Sequence, residues 1–415
     1  MCDPEKDATA CGLVQSAAES APEQMFRDPV TRTHRHRLRA AVTEAMEMTT
    51  TRDGIALDIG CGDGTLMSFL PSWIDAYGVD CVKPSDEVKD YGKAVEGRFP
   101  SENVLKKLQS YHGQREYDII TAISVLGAQD EPAEFLEGMK SALAADGIIV
   151  LETPYASLAL MRNNVGVFNP DNRAVYTLSI LEKLVRKAGL KIVRGAMTET
   201  EGGSLRLFLT HDDYTGHDYV PWLEQLARLW DEENALALTS RQTYQVFAQR
   251  IEANRQNVEG FFAELKKYGE HAHVIGVDPS MLRLLEWFGI DADSVSFIVS
   301  RDDTKHGTRI KIGGGDSEVE IVSEEDSRLA LPDYFIASAA LRREVLEHWR
   351  EAIFEGAEVL FLTPEMDIVN ENNYGMQLGK ALAVTDGPGS VETLKSVLST
   401  VTRPRLVAVN SAVEA

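Results

Sequence analysis

The 415-residue sequence is short of positive charge and almost free of cysteine. Its 42 Lys and Arg residues face 65 Asp and Glu, a formal net charge of −23. A surface of that sign repels phosphate backbones and anionic headgroups, so neither nucleic acid nor membrane is expected as a partner. No apolar run reaches the ~18–20 residues that a membrane span needs. The four cysteines, Cys2, Cys11, Cys61 and Cys81, form no CxxC pair. That argues against a zinc ribbon and a disulfide framework, and no metal site is expected. The opening MCDPEKDATACGLVQ lacks the basic-then-apolar layout of a secretory signal, so a cytoplasmic protein is expected. What is present, 44% hydrophobic and 26% charged residues, is ordinary globular composition, and the length suggests two or three domains.

Residues 1–24, rich in Ala, Ser, Glu and Asp, read as a flexible leader. Leu38, Val42 and Met46 then fall at helical spacing. Just before them the basic block Arg32, His34, Arg35, His36, Arg37 stands out in an acidic chain. It reads either as a solvated helix face or as part of a site for an acidic substrate. From Gly54, apolar runs alternate with helical stretches, the pattern of a parallel α/β sheet. Strands are expected at Ile55–Ile59, Ala76–Val79, Tyr117–Thr121, Gly147–Glu152, Lys191–Val193 and Ser204–Leu209. A helix of about 25 residues, capped by Ser240 and closed by Gly269, would brace two domains. A second α/β series follows, with strands at His273–Val277, Val295–Val299, Tyr334–Ala337 and Val359–Leu362 and helices around Met281–Phe288 and Leu341–Phe354. The expected division is a first domain over 25–215, a helical linker over 216–270, a second α/β domain over 271–369 and an extension over 370–415. That extension is read as a Thr-Asp-Gly-Pro-Gly turn, a short helix and a strand-like run, Leu406–Val409.

The stretch GIALDIGCGDGTLMSFL, residues 54–70, carries the chemistry. A strand ends near Asp58, and Gly60, Gly62 and Gly64 are expected to turn the chain into a helix while a ligand lies against the backbone, Cys61 included. The spacing is GxGxG, and the third glycine of a dinucleotide fingerprint is replaced by Thr65. The Asp58 carboxylate would repel a pyrophosphate and attract an ammonium or sulfonium group. Twenty-two residues on, Asp80 ends the next strand, where a carboxylate can take both ribose hydroxyls. Together these point to S-adenosylmethionine (SAM), with an unliganded Rossmann-like turn as the bland alternative. Phe99, Pro100 and Ser101 lie where a loop could sandwich adenine. Ala122, Ile123 and Ser124 follow the YDIIT strand, where they would sit beneath the methionine end.

LDIGCGDGTL, YDIITAISVL, GIIVLETPY, YTLSILEKLVRKAGL, EGGSLRLFL, SRDDTKHG and PDYFIASAALRREVLEHWREAIFEGAEVLFLTP, in that order, resemble the multidomain SAM-dependent C-methyltransferases of deoxysugar biosynthesis over roughly residues 25–368. The resemblance implies a class I methyltransferase Rossmann-like domain joined to a second Rossmann-like C-terminal α/β domain, which in the family helps hold a nucleotide sugar. This sequence departs from that pattern. Cys2 and Cys11 cannot build the family's N-terminal zinc module, and Pro170, Asp171 and Asn172 stand where a His-Glu-His run is usual. The family's histidine before the GGS turn is Glu201, and Ser280 replaces a lysine in IGVDPSM.

Glu201 is therefore the first candidate for a catalytic base. Tyr155 is a candidate for orienting an acceptor through its hydroxyl, or for a wall of the pocket, and Tyr176, Asn172, His34 and His36 are weaker candidates. The expected activity is C-methylation of a small-molecule acceptor, sugar-like or another specialised metabolite. Two alternatives remain. The aminocarboxypropyl chain of SAM could be the group attacked, releasing methylthioadenosine, or the chain could be a non-catalytic SAM-bound protein. The oligomeric state is open, with a homodimer as one option.

Overall fold

The computed structural model describes residues 14–15, 31–169, 172–276, 278–313 and 317–385. Strand candidates at Leu406–Val409, the Gly-Pro-Gly turn and the helix after it lie outside the described residues, as do Pro170, Asp171 and Val277.

Val14–Gln15 (β1) forms a small ribbon with Ala174–Val175 (β7). The first large sheet contains β2 (Gly54–Ile59), β3 (Ile74–Asp80), β4 (Lys93–Glu96), β5 (Tyr117–Ile123), β6 (Leu143–Pro154), β8 (Leu190–Thr198) and β9 (Ser204–His211). Its order is β4-β3-β2-β5-β6-β9-β8, with β9 antiparallel to both of its neighbours and the other pairs parallel. This is the class I Rossmann-like arrangement. The strand order reverses between β2 and β5, so their carboxyl ends open a crevice at the edge of the sheet. The GIALDI strand is buried along its whole length, as expected of a central parallel strand covered on both faces.

One side of the sheet is covered by α1 (Arg32–Met48), which buries Leu38, Ala41, Val42, Ala45 and Met48 and takes its N-cap from Thr31. α2 (Glu102–His112), α3 (Pro132–Ala142), α4 (Ala156–Met161) and α5 (Leu178–Lys187) complete the layers. After the glycine loop the expected helix is absent: the chain makes one 3-10 turn, Met67–Phe69, and enters β3. The chain has little room there. Pro71 stops helical hydrogen bonding, and Met67 is already committed to a small core with Cys61, Ala76 and Val88.

α6 (Val220–Ala235) leads to α7 (Arg241–Tyr268), capped by the Ser240 side chain and ended by Gly269 in the left-handed conformation, as its sequence requires. The second sheet contains β10 (Ala272–Ile275), β11 (Val295–Val299), β12 (Arg309–Lys311), β13 (Glu318–Val322), β14 (Tyr334–Ala337), β15 (Glu358–Phe361) and β16 (Asp367–Val369), in the order β12-β13-β11-β10-β14-β15-β16. It is again doubly wound, with its own reversal between β10 and β14 and antiparallel edges at β12 and β16. β4, β12, β13 and β16 have no distinctive apolar run and were not expected from the sequence. α8 (Pro279–Trp287) follows β10, and α9 (Glu324–Leu329) follows β13. The helix expected over Leu341–Phe354 is found as α10 (Arg342–His348) and α11 (Arg350–Phe354), which meet at Trp349, a residue buried in the core against Phe335. α12 (Tyr374–Thr385) packs on α10.

Candidate functional site

The glycine loop lies at the β2–β5 crevice. Gly60 donates its N–H to the Val79 carbonyl at 2.7 Å, tying the loop to the end of β3. Gly62 has φ +54, and a Cβ placed there would come no nearer than 4.0 Å to any protein atom. The backbone is bare at this point and faces open space, which fits a ligand lying along it. The Cys61 side chain points the other way into the small Met67 core, so the loop offers ligand its backbone and not this thiol.

Asp80 is 5% exposed; one carboxylate oxygen accepts from Gly62 N and the other from Val82 N, each at 3.0 Å. These bonds orient the carboxylate at the end of β3. Asp58, 4% exposed, accepts the Thr121 hydroxyl at 2.7 Å. Burial pushes its carboxyl up to about 7, with the Thr121 bond opposing and the charges of Asp80 and Asp63 adding to the rise. A cation beside Asp58 would reverse that shift.

Ala122 is fully buried in the main core, and Ile123 packs against Leu38, Val42 and Leu66 under α1. Phe99 is placed differently from the expectation. It is 4% exposed, with its ring edge-to-face on Phe135 at 5.8 Å, so its face is occupied by the core. Tyr155 also changes role: its hydroxyl donates to Glu233 Oε2 at 2.8 Å inside the core and does not open on the crevice. Tyr176 is fully buried beside it, bridged to Tyr155 through the backbone. Both tyrosines pack in the main core.

The crevice instead brings together Glu201, Ser124 and Asn172. Glu201 has φ +52 in the turn before β9, and Ser124 has φ +60 just beyond β5; both are non-glycine residues in the left-handed region. Such conformations cost of order 1–3 kcal/mol and gather at functional sites. Asn172 Nδ2 donates to Glu201 Oε2 at 3.4 Å, and Asn164 Nδ2 donates to the Glu201 carbonyl at 3.1 Å. Burial holds the Glu201 carboxyl above the usual carboxylate range. The Ser124 and Asn172 side chains oppose that rise, and the charges of Glu152 and Asp278 add to it. Asp278, at the start of α8, is thus within electrostatic reach of Glu201.

Beneath lies a buried polar network that no sequence period signals. Glu152, fully buried at the end of β6, pairs with Arg206 Nε at 2.5 Å and accepts the Thr198 hydroxyl at 3.0 Å. Arg206 also reaches Glu44 at 3.3 Å and the Arg37 carbonyl at 3.1 Å, fixing α1 to the sheet. Beside it, Arg162 grips Glu199 through two bonds of 2.6 and 2.8 Å. Among the described residues, no group of His, Cys, Asp and Glu is placed to hold a metal ion.

Residues 30–194 match the family model described as a methyltransferase domain, and residues 199–364 match that of a C-methyltransferase C-terminal domain. The chain joins these two domains. A curated relative, the C-methyltransferase NovU of Streptomyces niveus, is 24% identical over 238 residues, 57% of this chain and 55% of its own length. The chain thus aligns with about half the length of that relative. Solved structures resemble it more distantly. The magnesium protoporphyrin IX methyltransferase of Synechocystis is 18% identical, with a TM-score of 0.34, over 43% of this chain and 84% of its own. The 1,6-didemethyltoxoflavin N1-methyltransferase of Burkholderia thailandensis is 16% identical, with a TM-score of 0.33, over 47% and 100%. The fold of the methyltransferase domain rests on its own sheet order. Its glycine loop, Asp58 and Asp80 make S-adenosylmethionine the cofactor that fits the crevice.

Proposed function

We propose that this chain is a SAM-dependent methyltransferase that methylates a carbon of a small-molecule acceptor bound between its two sheets. Glu201 acts as the base. The observation that supports this most is Glu201 itself: a carboxylate held in a left-handed conformation, raised by burial and within electrostatic reach of Asp278. A carbon acid needs a base, and a carboxyl raised above its usual range is better matched to that task than an exposed one. When bound, the cofactor supplies a methyl group on a positively charged sulfur. Asp80 and the Gly60–Gly64 backbone hold it in place, and Asp58 offers it a counter-charge. Asn172 and Asn164 fix Glu201 so that its carboxylate oxygen can take the proton that leaves the acceptor carbon as the new carbon–methyl bond forms. Alignment of the two reactants supplies most of the rate.

The test is the chemistry of the spent cofactor after incubation with candidate acceptors. S-adenosylhomocysteine is the expected product. Methylthioadenosine would put attack on the aminocarboxypropyl chain in its place, and no consumption across the acceptors would favour a binding protein. Glu201→Gln is expected to keep S-adenosylhomocysteine affinity within about twofold while turnover falls on the order of 10²-fold or more. Unchanged turnover would remove Glu201 as the base.

A further inference from the structure

The Ala339–Leu341 turn after β14 packs on the Thr200–Gly202 turn that carries Glu201. The first turns of α1 lie along the rim of this meeting place. Thr33 N donates to Glu344 Oε2 at 3.1 Å, and Arg37 Nη2 donates to the Ala340 carbonyl at 3.5 Å.

In a doubly wound domain, the turn from the first strand into the following helix is where a phosphate is usually received. Here the carboxylate of Asp278 stands at the N-terminus of α8. The Asp278 carboxylate already accepts the Met281 N–H at 2.7 Å at the start of α8. Ser280 sits so tightly on Gly166 of the first domain that a Cβ there would lie 2.4 Å from its hydroxyl oxygen. The charge of Asp278 also reaches Glu201. A diphosphate at this turn would meet carboxylates in place of free amides.

The opposite wall has the reverse character. Glu199 is satisfied by Arg162, and Glu152 by Arg206, so the nearby carboxylates are already paired. Among the described residues, the Arg37 guanidinium, with five donors, makes only the long bond to Ala340 and no ion pair. The His34 ring is half-buried next to it and has no hydrogen-bond partner among the described residues. We propose that His34 and Arg37 form the anchoring subsite for the acceptor, and that this subsite takes a singly charged carboxylate in place of a nucleotide diphosphate.

Burial penalises the positive charge of both groups and lowers the pKa of each; for His34 the Arg37 charge adds to that cost and Glu152 and Asp63 oppose it, and for Arg37 the charges of Glu199 and Glu152 oppose it. An acceptor carboxylate would relieve that cost, since a guanidinium fork matches a planar carboxylate with two parallel bonds. A single charge is favoured because Asp63, within electrostatic reach of His34, repels each additional one. The proposal rests on the methyltransferase reading in one respect only: the bound anion is its acceptor.

The experiment uses the full chain saturated with S-adenosylhomocysteine, whose own binding is measured first. Failure at that step would overturn the methyltransferase reading, and with it this subsite. Ligand-observed NMR titrations then compare pyruvate and acetoacetate with their methyl esters and with uridine diphosphate. The acids are expected to bind at least tenfold more tightly than the esters, with no binding of the diphosphate. Arg37→Met should weaken the acids at least tenfold and leave S-adenosylhomocysteine affinity and Tm unchanged, while Arg37→Lys restores part of the loss. Equal binding of acids and esters, acid binding unaffected by Arg37→Met, diphosphate binding, or no binding by any probe would each overturn the proposal.

Discussion

Asp58 and Glu201 are both carboxylates raised by burial, in different surroundings. Asp58 lies in the sheet with a hydroxyl donor and no cation, and its carboxyl is held at about 7. In the ligand-free protein the folded state therefore binds a proton that the unfolded chain has released. This contribution lowers stability as pH rises from about 4 to about 7, and the loss then levels off. Binding of a sulfonium has the opposite sense, because it favours the ionised form. SAM affinity is thus expected to tighten as pH rises through about 7 and then plateau, and Asp58→Asn should flatten the curve. Calorimetric titration at a series of pH values checks this, and an unchanged slope in the variant would assign the dependence elsewhere. Much of this site can be read in the sequence, since GxGxG and the two strand-end aspartates are local. The partners of Glu201 could not be read in this way, because Ser124, Asn172 and Asp278 come from three separated stretches.

At the scale of elements, Tyr155 is instructive. Its position after a strand that ends near the crevice suggested contact with an acceptor, but side-chain direction decided otherwise. Glu233 of α6 accepts from the Tyr155 hydroxyl, from Leu178 N at 2.6 Å and from Ser179 N at 2.8 Å, and the Ser179 hydroxyl adds a further bond. A carboxylate at the start of α5 satisfies amides that a helix leaves open and complements its dipole. Tyr155→Phe removes one of these bonds, with an expected loss of about 1 kcal/mol and no change in turnover. Glu233→Ala leaves several buried donors unpaired and should cost about 3 kcal/mol or more. Urea unfolding with parallel activity assays separates the two cases. A tenfold fall in turnover for Tyr155→Phe would return the hydroxyl to the active site. The missing helix after Gly64 has the same lesson: glycine spacing announced the turn, while packing of Met67 and the nearby Pro71 determined what followed it.

At the scale of the molecule, α7 holds the two domains in register. Arg250 bonds the Leu160 carbonyl at 2.5 Å and Asn163 at 3.1 Å in the first domain. One turn on, buried Asn254 donates to the Leu362 carbonyl at 2.8 Å and accepts from Met366 N at 2.9 Å in the second. Asn254→Ala leaves both backbone groups buried and unpaired, with an expected loss of about 2–4 kcal/mol. Hydrogen exchange should show protection falling at Leu362 and Met366; unchanged protection there would show that other contacts carry the brace. What the sequence by itself determined is the local part: two α/β halves, the long capped helix between them, the glycine loop and its aspartates. Each of these follows from periodicity, capping or spacing within a few residues. Only the tertiary structure decided which carboxylates are already paired, that the Tyr155 hydroxyl is spent on Glu233, and that Arg37 meets the turn after β14. Those outcomes depend on burial and charge shared among residues far apart in the chain.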